Sequence, residues 1–583
     1  MEDILLKVRK PARYIGVEFN SIVKNWRDCA VKFAICFPNT YEVGMSNLGL
    51  RIIYGLLNIQ NDYLCERFFL PDLDMLDFIN NDKAKFCSLE SGRPLSDFDI
   101  VGFSIQHELD YANILHMLKL GSIPFYSKER SENQPLIIAG GPALSNPEPV
   151  ADFFDLILIG EAEEALLEIT SEFKDLHDKL IRWQLLERLA KIEGIYVPVL
   201  YEPIYDSESN FQRLEPKSES APTLIKHRFV KNLDSSFFPT RWLVPYIQIV
   251  HDKILLELMR GCPRGCNFCQ ARVFYSPLRI RSKEKIIELA LSRQKESGYE
   301  EISLLGLSVC DHPFISEVVA DLIDKFKDKC VAVSLGSLRP EPKISELLDK
   351  LKEIKKPGLT LAIESASEWL RNILNKKVDL EELKQLVEKC YNLGYRRIKF
   401  YFMFGLPFEN QKDLEAIAEL LYNLAHIEGF FRKDILFTVS INPFIPKPQT
   451  VFQWHPMEDL ASLKSKKSFL MLQIARKMRN VKVDFRSLEA SFLEALLSRG
   501  DRRFSKLIIA AFQRGAIFDS YGDHFNYSIW LEALKETQIN AKDYVYREIS
   551  ATGHLIWGHI DMGFDKQKLR KEYENILELG KSR

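Results

Sequence analysis

The sequence predicts an α/β protein of several domains, and three observations lead to this fold class. The 583 residues exceed what one hydrophobic core usually supports, which indicates two to four domains. Short apolar runs alternate with helical stretches, as in parallel sheets covered by helices. A cysteine-rich loop follows one of the central apolar runs. We therefore expect a doubly wound domain with a linker over residues 1–225, a partial (β/α)6 barrel over 226–455 and a mainly helical cap over 456–583.

Five strands with intervening helices are predicted in the N-terminal domain. The strands are Val31–Phe37, Tyr63–Phe69, Ile100–Ile105, Leu136–Gly140 and Leu156–Gly160. This alternation indicates a Rossmann-like sheet, whose ligands bind at the carboxyl ends of the strands, where strand order reverses. The first strand is not followed by G-x-G-x-x-G, which argues against a dinucleotide. Residues 201–225 are rich in Ser, Pro and Glu and predict a linker or an exposed hairpin.

Small and polar residues are concentrated in the loops at these strand ends. Glycine lets a flat ligand approach the backbone closely, so the loops are candidate cofactor contacts. The candidates are Glu42, Gly44, Ser46 and Gly49 after the first strand, Ser104 and Gln106 after the third, Gly140 and Gly141 after the fourth, and Gly160 and Glu161 after the fifth. Each loop taken alone is equally compatible with an ordinary turn.

Six further strands alternate with helices in the central region and predict a partial barrel. They are Leu255–Met259, Glu301–Leu307, Val331–Leu335, Leu359–Glu364, Arg396–Phe404 and Leu436–Ile441. Functional groups of βα barrels lie at the carboxyl ends of the strands. The loops that follow these strands are therefore expected to surround one cavity.

The central loop carries Cys262, Cys266 and Cys269 in a C-x3-C-x2-C pattern. Three thiolates can hold three irons of a cubane cluster and leave the fourth iron without a protein ligand. An open metal position is where a substrate or cofactor can coordinate. Phe268 is expected to form an apolar wall beside the cluster. A structural zinc site is the alternative, but zinc usually needs a fourth ligand, and neither cysteine nor histidine lies between Cys269 and Cys310.

This spacing, with an aromatic residue before the third cysteine, resembles the signature of the radical S-adenosylmethionine (radical SAM) enzymes. The resemblance implies a [4Fe-4S] cluster on the three cysteines, with the amino and carboxylate groups of SAM on the open iron. It also implies reductive cleavage of SAM to a 5′-deoxyadenosyl radical. Candidate SAM contacts follow the barrel strands: Gly306, Ser308, Ser334, Ser337, Arg339, Glu364 and Gly405.

The N-terminal loops resemble the cobalamin-binding domains that precede radical SAM barrels, through the Gly-Gly-Pro after the fourth strand and the Gly-Glu-x-Glu-Glu after the fifth. The cobalt-ligating Asp-x-His-x-x-Gly of such domains appears here as Gly44-x-Ser46-x-x-Gly49. The resemblance therefore implies cobalamin without a histidine ligand from this loop. His107 is another possible ligand, although a histidine at the head of a helix is more often a capping residue.

Nearly the whole chain resembles an uncharacterised family that joins a cobalamin-binding domain, a radical SAM barrel and a C-terminal region. The resemblance implies cobalamin-dependent methyl transfer to an unactivated carbon of an unknown substrate. Two alternatives stay open: a radical rearrangement or oxidation without methyl transfer, and a non-catalytic corrinoid or redox sensor. The expected partner is an electron donor such as flavodoxin or ferredoxin.

The amino-acid composition limits the cellular locations and the binding partners that can be expected for this protein. The formal charge of −2, with 46% hydrophobic and 27% charged residues, is typical of a soluble globular protein. The sequence shows no apolar run long enough to span a bilayer, and its first residues, MEDILLKVRKPARYIG, do not have the apolar core expected of a signal peptide. Ten cysteines suit a reducing compartment. We therefore expect a cytoplasmic protein without membrane contact. The near-neutral charge and the lack of a basic aromatic patch give little support for a nucleic-acid partner.

Overall fold

A computed structural model describes residues 2–207, 210–336, 338–351, 358–427, 435–478 and 480–583 of the chain. The fold is α/β, with parallel sheets in its N-terminal and central parts and helices through most of the C-terminal part. Within the described ranges, none of the helices combines the length and the apolar character needed to cross a bilayer.

The N-terminal sheet has the strand order β2-β1-β3-β4-β5-β6. Its strands are β1 (Val31–Phe37), β2 (Tyr63–Phe69), β3 (Ile100–Ser104), β4 (Leu136–Gly140), β5 (Leu156–Leu158) and β6 (Ile195–Tyr196). The first five are parallel, and β6 runs antiparallel to β5. Strand order reverses between β1 and β3, as the doubly wound prediction requires.

Helices cover both faces of this sheet, so that β1 is buried along almost its whole length. The helices of this part are α1 (Glu2–Leu5), α2 (Tyr41–Met45), α3 (Leu48–Asn58), α4 (Leu73–Asn80), α5 (Tyr111–Leu120), α6 (Ala162–Leu176) and α7 (Arg182–Leu189). The α3 helix begins after Asn47, whose side chain accepts a hydrogen bond from the backbone N–H of Leu50. The predicted hairpin is present as β7 (Tyr201–Tyr205) and β8 (Phe211–Pro216), and β9 (Ile225–Lys226) follows.

The central region contains all six predicted barrel strands, arranged in two parallel sheets. One sheet has the order β10 (Ile254–Glu257), β13 (Glu301–Leu305), β14 (Ala332–Leu335); the other has β15 (Leu359–Glu364), β16 (Arg397–Phe404), β17 (Leu436–Pro443), β18 (Val481–Phe485). A parallel bridge between Leu338 and Leu361 joins them. A short antiparallel pair, β11 (Met259–Arg260) and β12 (Arg279–Ile280), flanks the cysteine loop.

The β18 strand is additional to the six strands predicted for the barrel. It lies past residue 455, in the region predicted to be a mainly helical cap. The β18 strand pairs in parallel with β17, so the sheet continues to Phe485. Helices of the barrel are α8 (Gln270–Phe274), α9 (Lys283–Ser297), α10 (Ile315–Phe326), α11 (Pro342–Leu351), α12 (Glu368–Ile373), α13 (Leu380–Asn392) and α14 (Gln411–Ala425).

The C-terminal part packs on both preceding regions. It contains α15 (Leu460–Lys477), α16 (Leu488–Arg499), α17 (Phe504–Gln513), α18 (Tyr527–Thr537), α19 (Ala541–Val545), β19 (Ile560–Asp561) and α20 (Lys566–Lys581). The β19 strand pairs with β9 of the linker. Arg502 is buried and pairs with Glu148 of the N-terminal domain at 3.0 Å, which is one of the contacts between these two parts of the chain.

Two adjacent glycines at the end of β4 are expected to respond differently to alanine. Gly141 has φ 127° and ψ 166°, a region open essentially to glycine alone, and a Cβ there would lie 2.2 Å from the carbonyl oxygen of Ile105. Gly141→Ala should therefore lower the free energy of unfolding by about 3 kcal/mol. Gly140→Ala is the matched control, because its Cβ would find its nearest neighbour at 3.8 Å. Urea denaturation followed by circular dichroism measures both; equal midpoints for the two variants would contradict this account.

Candidate active site

A cavity of about 440 Å³ lies where the carboxyl edge of the N-terminal sheet faces the barrel. From the N-terminal domain it is lined by seven of the predicted candidates: Gly49, Ser104, Gln106, Gly140, Gly141, Gly160 and Glu161. From the barrel it is lined by Gly306, a predicted SAM contact, and by Met259, Arg260 and Gly261, which lead into the cysteine loop. The cavity therefore joins the two predicted cofactor regions, and its volume is in the range of small-molecule sites.

Backbone geometry shapes the N-terminal wall of this cavity. Gly141 and Gly160 both have φ 127°, and a Cβ on Gly160 would lie 2.1 Å from the carbonyl oxygen of Arg228. Only glycine fits these positions, so the loops after β4 and β5 stay close to the neighbouring backbone and leave the cavity open. Gln106 donates a hydrogen bond to the Ser104 hydroxyl at 3.0 Å, which fixes the loop after β3.

Glu161 connects the two domains beside the cavity. Its two carboxylate oxygens each accept a hydrogen bond of 2.8 Å from the guanidinium of Arg279. One of these oxygens also accepts from the backbone N–H of Val230 at 2.7 Å and lies 3.0 Å from Arg260. Such a bidentate arginine–carboxylate pair is among the stronger charge-assisted contacts in proteins. Glu161 therefore lines the cavity as the centre of an ion-pair network that joins the domains.

Arg260 extends this network to the start of the cysteine loop. Its guanidinium lies 2.8 Å from Glu163 and forms two hydrogen bonds of 3.0 Å to Glu257. Burial alone would lower the pKa of Arg260, but the carboxylates of Glu257 and Glu163 outweigh burial and raise it well above its usual value. Arg260 is therefore a permanent cation that ties the start of the cysteine loop to Glu161 and Glu163 of the N-terminal domain.

Hydrogen bonds from distant segments hold the cysteine loop in place. Asn267 donates from its backbone N–H to Leu374 at 3.0 Å and from its amide to Ile373 at 2.8 Å. The side chain of Asn375 donates to the carbonyl of Gly265 at 2.8 Å. Gly261 has φ 91°, and a Cβ there would lie 2.6 Å from the carbonyl oxygen of Pro277. The turn into Cys262 therefore requires glycine.

The three thiols fit an iron–sulfur cluster better than a single zinc ion. Cys262, Cys266 and Cys269 are partly exposed, as a shared inorganic ligand would require. Among the described residues these sulfurs do not all lie within 4.8 Å of one another. Three sulfurs on one zinc, each at about 2.3 Å, would be about 3.8 Å apart. The wider arrangement suits sulfurs that bind separate irons.

Burial favours the protonated form of two of the cysteine thiols in this loop. It raises the pKa of the thiols of Cys262 and Cys269, and the neighbouring sulfur of Cys266 adds to the rise in both. Without metal, the thiols of Cys262 and Cys269 are therefore protonated at neutral pH. Binding of iron must release these protons, since the thiolate is the metal ligand.

The carboxylate of Asp311 links Ser308 to the cysteine loop. Its hydroxyl donates to Asp311 at 2.6 Å, and Asp311 accepts a hydrogen bond of 2.7 Å from Arg264 within the loop. The backbone N–H of Arg264 in turn points to the sulfur of Cys262 at 3.4 Å. The loop after β13 is therefore tied to the cysteine loop, where a cofactor on the cluster would be bound.

The remaining predicted SAM contacts have partners of their own. Arg339 donates to the carbonyl of Lys377 at 3.0 Å, and its buried Nε makes no hydrogen bond. Glu364 accepts from Lys376 at 3.3 Å and has φ 70°, an uncommon backbone conformation for a side chain of this size. Both residues lie at strand ends, where the prediction requires them.

Four predicted contacts are used differently or are not described. Ser334 donates to Glu301 at 2.7 Å, towards the amino end of the strands. The backbone of Gly405 turns against α15, with Leu463 2.5 Å from where a Cβ would be. Phe268 packs into a hydrophobic cluster with residues of α12 and α20. Ser337 lies outside the described residues.

The first part of the loop after β1, which contains Glu42, Gly44 and Ser46, does not line the cavity. Glu42 pairs with Lys10 and Arg13, each at 2.8 Å. Gly44 packs against the ring of Phe69, and the hydroxyl of Ser46 donates to the carbonyl of Glu42 at 2.7 Å. Of the four candidates in this loop, Gly49 alone lines the cavity.

His107 is held by its own neighbours. Its Nδ1 accepts from the backbone N–H of Leu109 at 3.1 Å, and its Nε2 lies 3.2 Å from Glu494. Lys447 pairs with Glu494 at 2.8 Å and with Glu108 at 2.7 Å, so an ammonium group already compensates these carboxylates. His107 is therefore a helix-capping residue, and the described lining of the cavity contains neither histidine nor cysteine.

Sequence reasoning missed the arginines that hold the site together. Arg260 and Arg279 lie on the short strands β11 and β12, which pair with each other across the cysteine loop. Only two sequence features indicated them. Arg260 stands directly before the loop, and the segment Arg279-Ile-Arg281 after it has basic residues at alternate positions. Arginine is too common on protein surfaces for this signal to have been decisive.

The family models agree with this architecture. Residues 256–421 match the radical SAM superfamily, and residues 49–198 match the N-terminal domain of radical SAM proteins. The chain therefore carries a radical SAM domain together with the N-terminal domain that is associated with it. This class implies a [4Fe-4S] cluster and SAM as cofactors.

Individual relatives differ in how much of the chain they match. An uncharacterised protein of Methanocaldococcus jannaschii, MJ0966, is 27% identical over 506 residues, which are 84% of this chain and 96% of the relative. The tRNA-2-methylthio-N(6)-dimethylallyladenosine synthase of Pelagibacter ubique is 24% identical over 61% of this chain and 76% of its own length. Among solved structures, the radical SAM methyltransferase TsrM of Kitasatospora setae has a TM-score of 0.46 at 12% identity, over 70% of this chain and 72% of its own.

Replacing Glu161 by glutamine should loosen the contact between the domains. The change leaves Arg260 and Arg279 with one buried negative partner fewer, which should lower the free energy of unfolding by about 3 kcal/mol. Glu172→Gln is the matched control, because Glu172 and Arg188 form an exposed pair and its loss should leave the denaturation midpoint unchanged. Urea denaturation compares the two variants; an unchanged midpoint for Glu161→Gln would refute the role given to this residue.

Proposed function

We propose that this chain is a cobalamin-dependent radical SAM methyltransferase that acts on an unactivated carbon of a small substrate. The observation that carries the proposal is the cavity shared by the two domains. Cobalamin would lie against the glycines at the carboxyl edge of the N-terminal sheet, and Arg260 and Gly261, which lead into the cysteine loop, line the other side of the same space. A cavity between two cofactor-binding regions would allow one substrate carbon to meet both.

The lining supports a corrinoid that has no histidine ligand from the protein. Gly140 lies at the end of β4, where a Cβ would have no neighbour closer than 3.8 Å, and a side chain on Gly141 or Gly160 would collide with neighbouring backbone. Apolar side chains such as Phe33, Ile35 and Ile138 form the floor. A flat macrocycle can contact such a surface over its whole face, with Ser104 and Gln106 available for hydrogen bonds at its edge.

When bound, the cluster and SAM would supply a 5′-deoxyadenosyl radical, and methylated cobalamin would supply the methyl group. The protein's own contribution is position and exclusion of water. The Glu161–Arg260–Arg279 network holds the cysteine loop at a fixed distance from the glycine-lined wall. A position between the two domains would limit the access of solvent to reactive species.

The proposal also includes a cytoplasmic location and an external one-electron donor of the flavodoxin or ferredoxin type. None of the ten cysteines, all of which lie within the described residues, forms a disulfide, which suits a reducing compartment. The three cluster cysteines are partly exposed, so a donor could approach the loop.

Replacing Cys266 by alanine should abolish cleavage of SAM. Loss of one thiolate removes a ligand of the cluster, so iron content after anaerobic reconstitution should fall by more than half and 5′-deoxyadenosine should not form. Cys330→Ala is the matched control, since Cys330 is an exposed thiol outside the loop. Iron analysis and chromatography of the products give the readout. Continued SAM cleavage by Cys266→Ala would refute the assignment of the loop.

Anaerobic reconstitution with iron, sulfide and hydroxocobalamin tests the methyltransferase proposal. We expect one cobalt per chain in the unmodified protein. Gly140→Ala should fold normally and bind cobalamin about tenfold more weakly, because its new methyl group protrudes into the cavity. Cobalt analysis and visible absorption measure binding.

The products separate this function from its alternatives. Methyl transfer yields 5′-deoxyadenosine together with S-adenosylhomocysteine, whereas a rearrangement or oxidation yields only 5′-deoxyadenosine. A sensor yields neither in quantity. Iron without cobalt in the reconstituted protein would refute methyl transfer and leave the radical SAM activity in place.

A further inference from the structure

A second cavity, of about 310 Å³, lies in the C-terminal region and shares none of its described lining with the cavity between the domains. We refer to it as the C-terminal cavity. It is formed by the ends of α16 and α18, by α19 and by the start of β8. Four permanently charged basic side chains line it, against two carboxylates: Arg499, Arg503, Lys506 and Arg547 against Asp501 and Asp543. The cavity is thus locally basic in a chain whose formal charge is −2.

Arg499 is a buried cation without an anionic partner. Its side chain is only 1% exposed, yet its guanidinium donates only to the backbone carbonyls of His455, at 2.7 Å, and Arg547, at 3.5 Å. Its Nε makes no hydrogen bond, and no carboxylate of the described residues pairs with it. Burial lowers the pKa of Arg499 to about 10, and Arg547 contributes to the fall. Burying a cation without an anionic partner is energetically unfavourable. A negatively charged ligand beside Arg499 would therefore stabilise this site.

The neighbouring charges do not supply this group. Asp501 is already bound to Arg503 at 2.6 Å and to the hydroxyl of Tyr544 at 2.7 Å. Asp543 lies exposed at the rim. Arg547 donates only to the amide oxygen of Asn210 at 3.0 Å, and Lys506 is exposed without an ion pair among the described residues.

We propose that the C-terminal cavity binds a phosphate group, held by Arg499 at its base and by Arg547 and Lys506 at its rim. A guanidinium presents paired N–H donors that match the oxygens of a phosphate, and a lysine adds a mobile point charge. The bound anion would lie between Arg499 and Arg547 and would relieve the repulsion between them. This gives the C-terminal region a ligand of its own, either free phosphate or the phosphate of a small phosphomonoester.

Titration of the full-length protein with inorganic phosphate tests this inference. At constant ionic strength, set with potassium chloride, isothermal titration calorimetry should show one saturable site per chain. Lys506→Gln and Arg547→Gln are exposed changes and should each weaken binding about tenfold. Lys571→Gln removes the same charge from an exposed lysine outside the cavity and should bind as the unmodified protein does. Arg499→Lys keeps the buried charge, loses the paired donors and should also bind more weakly.

A parallel titration with glycerol 3-phosphate identifies the source of the ligand: tighter binding of the ester indicates a phosphorylated metabolite, and equal binding indicates free phosphate. The inference is overturned by phosphate binding that does not saturate, or by equal losses in Lys506→Gln and Lys571→Gln. Binding of an oligoribonucleotide without any binding of inorganic phosphate would overturn it as well, in favour of a nucleic-acid surface.

Discussion

The bidentate ion pair between Glu161 and Arg279, with Arg260 on the same carboxylate, is the contact on which the geometry of the cavity between the two domains depends. It joins the loop after the last parallel strand of the N-terminal sheet to both short strands that flank the cysteine loop. Buried charges in such a network are unfavourable unless every partner is in place. The network therefore tolerates one relative placement of the two domains, which is what a site shared between them requires.

A similar arrangement recurs at two other boundaries. Lys447, from the end of the barrel, pairs with Glu108 of the N-terminal domain and with Glu494 of the C-terminal region. Arg502 of the C-terminal region pairs with Glu148 of the N-terminal domain. In each case a buried basic side chain from one part is matched by carboxylates from another. The C-terminal region thus fixes the outer side of the domain arrangement, while Glu161 fixes the side next to the cysteine loop.

Residues of the candidate site could be predicted from the sequence at positions where the backbone conformation requires glycine or where metal binding requires cysteine. Gly141 and Gly160 were predicted because a flat ligand needs small residues at strand ends, and the structure shows positive φ at both. The same reasoning failed for Gly44, whose lack of a side chain accommodates the ring of Phe69. A glycine in a loop does not reveal whether a ligand or a neighbouring side chain occupies the space beside it. Ser334 was misjudged for a related reason, since its hydroxyl turns towards Glu301 at the other end of the strands.

By itself, the sequence determined the α/β class, the strands of the N-terminal and central sheets apart from β6 and β18, and the cysteine loop. These features follow from local apolar periodicity and from spacing within a few residues, which any neighbouring structure preserves. Only the tertiary structure decided which loops share a cavity, which carboxylate pairs with Arg260 and Arg279, and that Arg499 is left without an anion. Those outcomes depend on contacts between residues that lie far apart in the sequence, because burial and charge compensation are properties of the packed molecule.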